Sequence, residues 1–106
     1  MDVIKSNVLE RAAKMGIANA QFYLGEIYYQ GIEVIRNKKK AKSLFLKAAK
    51  QGYVNAQYYL GQMYFEENNV EKSKYWHMKA AKQGHVESMY VIKLMDAVET
   101  RNKMIH

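Results

Sequence analysis

The chain has 106 residues, with 17 basic against ten acidic and a formal charge of +7, and it contains neither cysteine nor proline. That length fits one domain with a modest core. Disulfides and thiolate metal sites are excluded, and no proline interrupts a helical segment. The charge is local: residues 36–50 hold Arg36, Lys38, Lys39, Lys40, Lys42, Lys47 and Lys50 and no acidic residue, leaving ten basic against ten acidic elsewhere.

In chain order, residues 3–14 read as a helix equivalent to the second half of a preceding unit, with Val8, Leu9 and Ala12 matching Leu44, Phe45 and Ala48 downstream. Residues 1–15 carry Asp2, Lys5, Glu10, Arg11 and Lys14 without a continuous apolar run. No secretory leader or membrane span is legible there, which favours the cytoplasm. A helix over 17–30 follows, with Ala20, Leu24, Ile27 and Tyr28 on one stripe. The loop from Gly31 to Asn37 carries Ile32, Val34 and Ile35, which are expected to tuck against the unit. A helix over 38–50 buries Ala41, Leu44, Phe45 and Ala48 and turns its lysines outward.

The helix over 53–66 repeats the earlier stripe as Ala56, Leu60, Met63 and Tyr64. The next, over 70–82, is expected to bury Val70, Ser73, Trp76 and Ala80, with His77 at the place of Phe45. The last, over 86–99, is apolar on most faces through Met89, Tyr90, Val91, Ile92, Leu94, Met95 and Val98. Such a helix requires cover. The tail from Thr100 to His106 is short and polar, with Met104 and Ile105 placed to fold back.

These elements are copies. Lys47-Ala48-Ala49-Lys50-Gln51-Gly52-Tyr53-Val54-Asn55-Ala56-Gln57-Tyr58-Tyr59-Leu60-Gly61 restates Arg11 to Gly25 and returns, more worn, as Lys79 to Lys93. The marker glycine steps from 16 to 52 to 84, offsets of 36 and 32, a period typical of stacked helical repeats. Gly16, Gly52 and Gly84 stand where a left-handed residue closes a helix. Gly25 and Gly61 fall inside helices, where glycine costs about 1 kcal/mol relative to alanine. That cost, repeated at one place in two copies, implies close contact with a neighbouring helix.

The pattern Ala-Gln-aromatic-Tyr-Leu-Gly-x-x-Tyr, a loop, then Lys-Ala-Ala-Lys-x-Gly resembles the Sel-one-like repeats, relatives of the tetratricopeptide repeat, from residue 11 to about 92. The resemblance implies an all-α fold, a right-handed α/α solenoid of about two and a half helix-turn-helix repeats and roughly six helices. Its parts are a half-repeat helix over 3–14, repeats over 17–50 and 53–82, and a terminal half-repeat helix over 86–99. The third copy departs at Ser88, Ile92, Lys93 and Asp96, so the array ends there or continues in a partner. The implied role is a protein–protein adaptor, scaffold or small immunity-type inhibitor.

In tetratricopeptide-like stacks the first helix of each pair lines the concave face. This places Asn19, Tyr23, Glu26 and Tyr29, then Asn55, Tyr59, Gln62 and Phe65, as the candidate protein-binding surface. Aromatic columns Phe22-Tyr58-Tyr90 and Tyr23-Tyr59 cross the repeats. Phe22 and Tyr58 are assigned to packing, and Tyr23, Tyr29, Tyr59 and Phe65 to the groove, where tyrosine and phenylalanine are favoured anchors. The basic ridge from Arg36 to Lys50 reads as a solvated convex face able to attract an acidic partner. Nucleic acid fits poorly, because the aromatic side chains expected between the lysines are claimed by the core. Self-association through helix 86–99 is the remaining alternative. No catalytic motif is present, the histidines lack metal-ligand spacing, and neither enzyme activity, metal nor cofactor is expected.

Overall fold

Runs of alanine, leucine, lysine and glutamine favour helix. The computed structural model describes the backbone of residues 3–105 and the side chains of 7–105, which form six helices and no strand. These are α1 (Val3–Lys14), α2 (Ala18–Gln30), α3 (Lys38–Lys50), α4 (Val54–Glu66), α5 (Val70–Lys82) and α6 (Val86–Ile105). The last departs from expectation. It runs through Thr100 to Ile105, so Met104 and Ile105 extend the helix rather than folding back, and both are exposed. Neither glycine nor proline stands in that stretch to stop it.

Each helix packs chiefly on the next, from α1 on α2 to α5 on α6. The molecule measures 56 × 26 × 17 Å with a radius of gyration of 15.6 Å, whereas a compact chain of this length would have about 13 Å. This is the elongated form of an α/α solenoid, in which each helix pair shares its burial with its neighbour.

The repeat is visible in the hydrogen bonds. At the end of α1, Ile17 N–H donates to Ala12 O and Gly16 N–H to Ala13 O, with Gly16 at φ +90°. The same pair closes α3 through Tyr53 and Gly52, and α5 through His85 and Gly84. This is the six-residue closure that only a left-handed residue permits without strain. The starts of α3 and α5 also match: Asn37 Oδ1 accepts from Lys40 N–H at 3.0 Å, and Asn69 Oδ1 from Lys72 N–H at 3.1 Å.

A methyl group added to Gly25 would lie 2.7 Å from the Phe45 ring, and one on Gly61 would lie 2.5 Å from the His77 ring. These buried glycines are the points where α2 meets α3 and α4 meets α5 at closest range. Around them lie Phe22, Ala41, Ala48, Ala56, Leu60 and Trp76.

Several apolar residues expected inside are not. Val8 and Val70 are exposed, each in the first half of its helix where no neighbouring helix covers it, and Ile35 is 90% exposed. Ile32 is exposed as well, and of that loop's apolar side chains only Val34 is half-buried. Hydrogen bonds hold this loop instead: Asn37 N–H donates to Tyr28 O, and Arg36 Nε–H donates to Tyr29 O at 2.9 Å.

Between the repeats a buried glutamine and an exposed one pair twice in the same way. Gln21 Nε2 donates to Ala13 O, and Gln57 Nε2 donates to Ala49 O, satisfying helix-end carbonyls that would otherwise be orphaned. Gln51 then donates to Gln21 Oε1, and Gln83 to Gln57 Oε1, both at 2.9 Å. The third copy has Met89 in place of this glutamine, and Met89 is exposed.

Candidate functional site

The first helices of the pairs, α2 and α4, bring part of the predicted surface together. Tyr29, Tyr59 and Gln62 join Gln30, Phe45, Tyr58, Met63 and Glu66 around a hollow of about 240 Å³. A second hollow of about 530 Å³ lies between α4 and α6, lined by Gln62, Phe65, Val70, Val91, Leu94, Met95, Val98, Glu99 and Asn102. Gln62 lines both, so the two hollows adjoin there, and a third, lined by Lys38, Lys39, Lys42, Met63, Glu66 and Glu67, adjoins the first through Met63 and Glu66. Asn19, Tyr23 and Asn55 are exposed but line none of them.

Tyr23 and Phe65 stand open, at 50% and 55% exposure. Tyr29 and Tyr59 were expected to be open too, yet both are half-buried. Their rings lean on Phe45, with centroids 6.4 and 5.4 Å away. Tyr29 Oη donates to Glu66 and Tyr59 Oη to Glu26, each at 3.4 Å. Burial first, and the adjacent carboxylate second, raise both phenol pKa values, so the rings remain neutral donors. The column Phe22-Tyr58-Tyr90 grades from core to surface: Phe22 is buried, Tyr58 half-buried and Tyr90 exposed.

Val91, Leu94, Met95 and Val98 belong to the groove although sequence reasoning did not place them there. The signal is the surplus apolar character of the last helix, which calls for cover. Among the described residues Glu66 and Glu99 are the charged ones that line these two hollows, while Lys38, Lys39, Lys42, Glu66 and Glu67 line the third.

The basic ridge borders the first hollow, with Lys38, Lys39 and Lys42 beside Met63 and Glu66, and is partly tied down. Lys42 is half-buried, 2.6 Å from Glu67 and above the Tyr64 ring, rather than turned outward. Lys40 lies near Glu10 and donates to Tyr28 Oη, while Lys38 stands 3.9 Å from Glu66. Lys39, Lys47 and Lys50 are exposed. Contacts of this kind between exposed groups contribute about 0–1 kcal/mol each.

A buried polar cluster sits behind the groove. His77 and Ser88 are fully buried, and His77 Nδ1 lies 3.3 Å from Ser88 Oγ. Ser88 Oγ is 3.0 Å from His85 Nδ1, which also accepts Ser88 N–H, and His85 Nε2 is 3.0 Å from Glu87. The tautomers that satisfy this chain have His77 Nδ1–H donating to Ser88, Ser88 O–H to His85, and His85 Nε2–H to Glu87. His77 Nε2 is then a lone pair without a donor, facing Gly61. A proton there would have no acceptor. Burial, with a smaller contribution from His85, lowers the His77 pKa from 6.5 to about 4. With Ser88 sealed from solvent, the cluster fastens α6 to α5. Among the described residues no group of His, Asp and Glu side chains could hold a metal ion; His106 lies outside the described residues.

Against known proteins, residues 18–53 and 54–85 match the Sel1 repeat model. The chain belongs to the Sel1 repeat family. The first repeat therefore carries the Gly25–Phe45 contact and the second the Gly61–His77 contact. A protective antigen present in uropathogenic Escherichia coli strains, displaying an SLR fold, is 28% identical with a TM-score of 0.79, over 86% of this chain and 20% of that one. A Sel1 repeat protein from Oxalobacter formigenes is 27% identical with a TM-score of 0.72, over 86% of this chain and 44% of that one. The chain thus spans a fifth of one structure and under half of the other. No curated protein matches the sequence. Sel1 repeats generally mediate protein–protein interactions, and the fold is typically a non-enzymatic scaffold. Among the described residues no helix is long and apolar enough to cross a membrane.

Proposed function

We propose that this chain is a protein-binding module that receives its partner on the concave face built by α2, α4 and α6. The observation that carries this reading is the apolar hollow of about 530 Å³ between α4 and α6, which adjoins the α2–α4 hollow at Gln62. Tyr23, Glu26, Tyr29, Tyr59, Gln62 and Phe65 then supply contacts along the face, with Asn19 and Asn55 at its margin. Rigid aromatic anchors suit such a role because they offer area at low entropy cost. Attraction of an acidic surface would fall to Lys39, Lys47 and Lys50.

Photo-crosslinking from position 65 identifies the partner, and calorimetry then compares the wild type with Tyr23→Ala/Phe65→Ala. The double variant is expected to bind about tenfold more weakly at an unchanged melting temperature. Unchanged affinity in that variant would move the binding site off this face.

Self-association is a second reading, favoured by Val86, Met89 and Tyr90, which stand exposed on α6. Light scattering across concentration tests it, and a mass that stays monomeric removes it.

A further inference from the structure

We infer that α6 is a releasable end of the solenoid, held on α5 by an uncharged His77 and let go when that ring takes a second proton. The device begins with one atom. His77 is fully buried, and its Nε2 lies against Gly61 of α4 with no hydrogen-bond partner among the described residues. Its Nδ1 is engaged with Ser88 Oγ at 3.3 Å. An imidazolium donates from both nitrogens, so the charged ring would carry a buried N–H with nothing to receive it.

The titratable groups around the ring offer no relief. Tyr58 from α4 meets it in a T-shaped contact at 5.4 Å, and His85, from the turn before α6, is reached through Ser88. Glu87 is engaged with His85 at 3.0 Å, and charge on His85 opposes charge on His77. Asp96 and Glu99 of α6 pair with Lys74 instead, at 2.8 and 3.4 Å.

Protonation must therefore open one wall around the ring, and the walls are unequal. Towards α4, Ala56, Leu60, Met63, Trp76 and Ala80 are buried, and Ser73 Oγ–H donates to Gly61 O at 2.7 Å. Among the described residues of α6 only Ser88 is buried, with Val91, Ile92 and Met95 half-buried. The Lys74 pairs are partly exposed and hold little. Gln83 Nε2–H, by contrast, ties the end of α5 to Gly52 O at 2.9 Å. The chain is thus fixed up to the residue before Gly84, whose φ of +88° and open surroundings suit a pivot.

Release stands apart from the protein-binding reading, yet it would dismantle the larger hollow, because Val91, Leu94, Met95 and Val98 leave with α6. Its sign follows from the neutral ring. Burial first, and His85 second, lower the His77 pKa from 6.5 to about 4, so docking is complete above pH 6.5 and weakens as pH falls towards 4. The first repeat lacks the device, since Phe45 stands at the equivalent position.

Hydrogen exchange followed by mass spectrometry on the full chain reads the release as protection factors, which are corrected for the intrinsic pH dependence of exchange. Protection across α6 is expected to fall about thirtyfold between pH 8 and pH 5, the part of a displacement from 6.5 to about 4 that lies in that window. Protection in α2, α3 and α4 should hold. His77→Phe should keep α6 level across the window, and His77→Gln serves where the phenylalanine variant misfolds. Asp96→Asn/Glu99→Gln should leave the fall in place. A fall shared by every helix would make the transition a global unfolding and overturn the release. So would a level α6 in the wild type, a fall that persists in the His77 variants, or one that vanishes in Asp96→Asn/Glu99→Gln.

Discussion

Two nests of rings hold this solenoid together, and they differ. In the first repeat Phe22, Phe45, Tyr53 and Tyr59 meet at centroid distances of 5.1–5.6 Å. The corresponding positions one repeat later are Tyr58, His77, His85 and Val91. Tyr58 still stacks near His77 and His85, at 5.4 and 4.7 Å, but a polar relay through Ser88 replaces the apolar centre. Where Tyr59 leans on Phe45, Val91 is too short to fill the equivalent space, and the larger hollow opens beside it. The same backbone plan thus yields an apolar joint in one place and a polar, titratable one in the next.

Removing the centre of each nest should separate them most sharply. Phe45→Ala is expected to cost about 3–5 kcal/mol in urea denaturation. His77→Ala should cost clearly less, because it also removes a buried nitrogen without a partner. Equal losses would mean that the two joints are energetically alike.

Acid should act on the second joint alone. The folded His77 value of about 4 lies below its ordinary 6.5, so the native state favours the neutral ring. Its stability is complete above pH 6.5 and falls as pH drops towards 4, by about 3 kcal/mol at the limit. His77→Phe, which installs the first repeat's residue, should flatten that part of the pH–stability curve. A slope that survives the substitution would assign it to other groups.

The smallest effect concerns the glycines. Gly61→Ala gains helix propensity but drives a methyl group into the His77 ring, for a net loss of about 1 kcal/mol. In a His77→Ala background the same change should become neutral or stabilising. Persistence of the loss there would show that the glycine serves the backbone rather than the ring.

Much of this was legible in the chain. The copies of Lys-Ala-Ala-Lys-x-Gly placed the helix ends, and the misplaced-looking Gly25 and Gly61 announced close helix contacts, because a repeated local cost needs a shared tertiary cause. The candidate site was legible only in part. Tyr29 and Tyr59 occupy predicted positions, but how far a ring leans on Phe45 depends on the offset between α2, α3 and α4, which no periodicity encodes. The glutamine pairs Gln21–Gln51 and Gln57–Gln83 were hidden for the same reason: the partners lie 30 and 26 residues apart.

What the sequence determined by itself was the helix count, the helix closures and the repeat to which each residue belongs, since these rest on local propensity and on period. Only the tertiary structure decided that a hollow opens between α4 and α6 and that lysines of α3 and carboxylates of α4 meet beside it. Groove shape and charge arise where side chains from separate helices converge, and convergence is a property of packing.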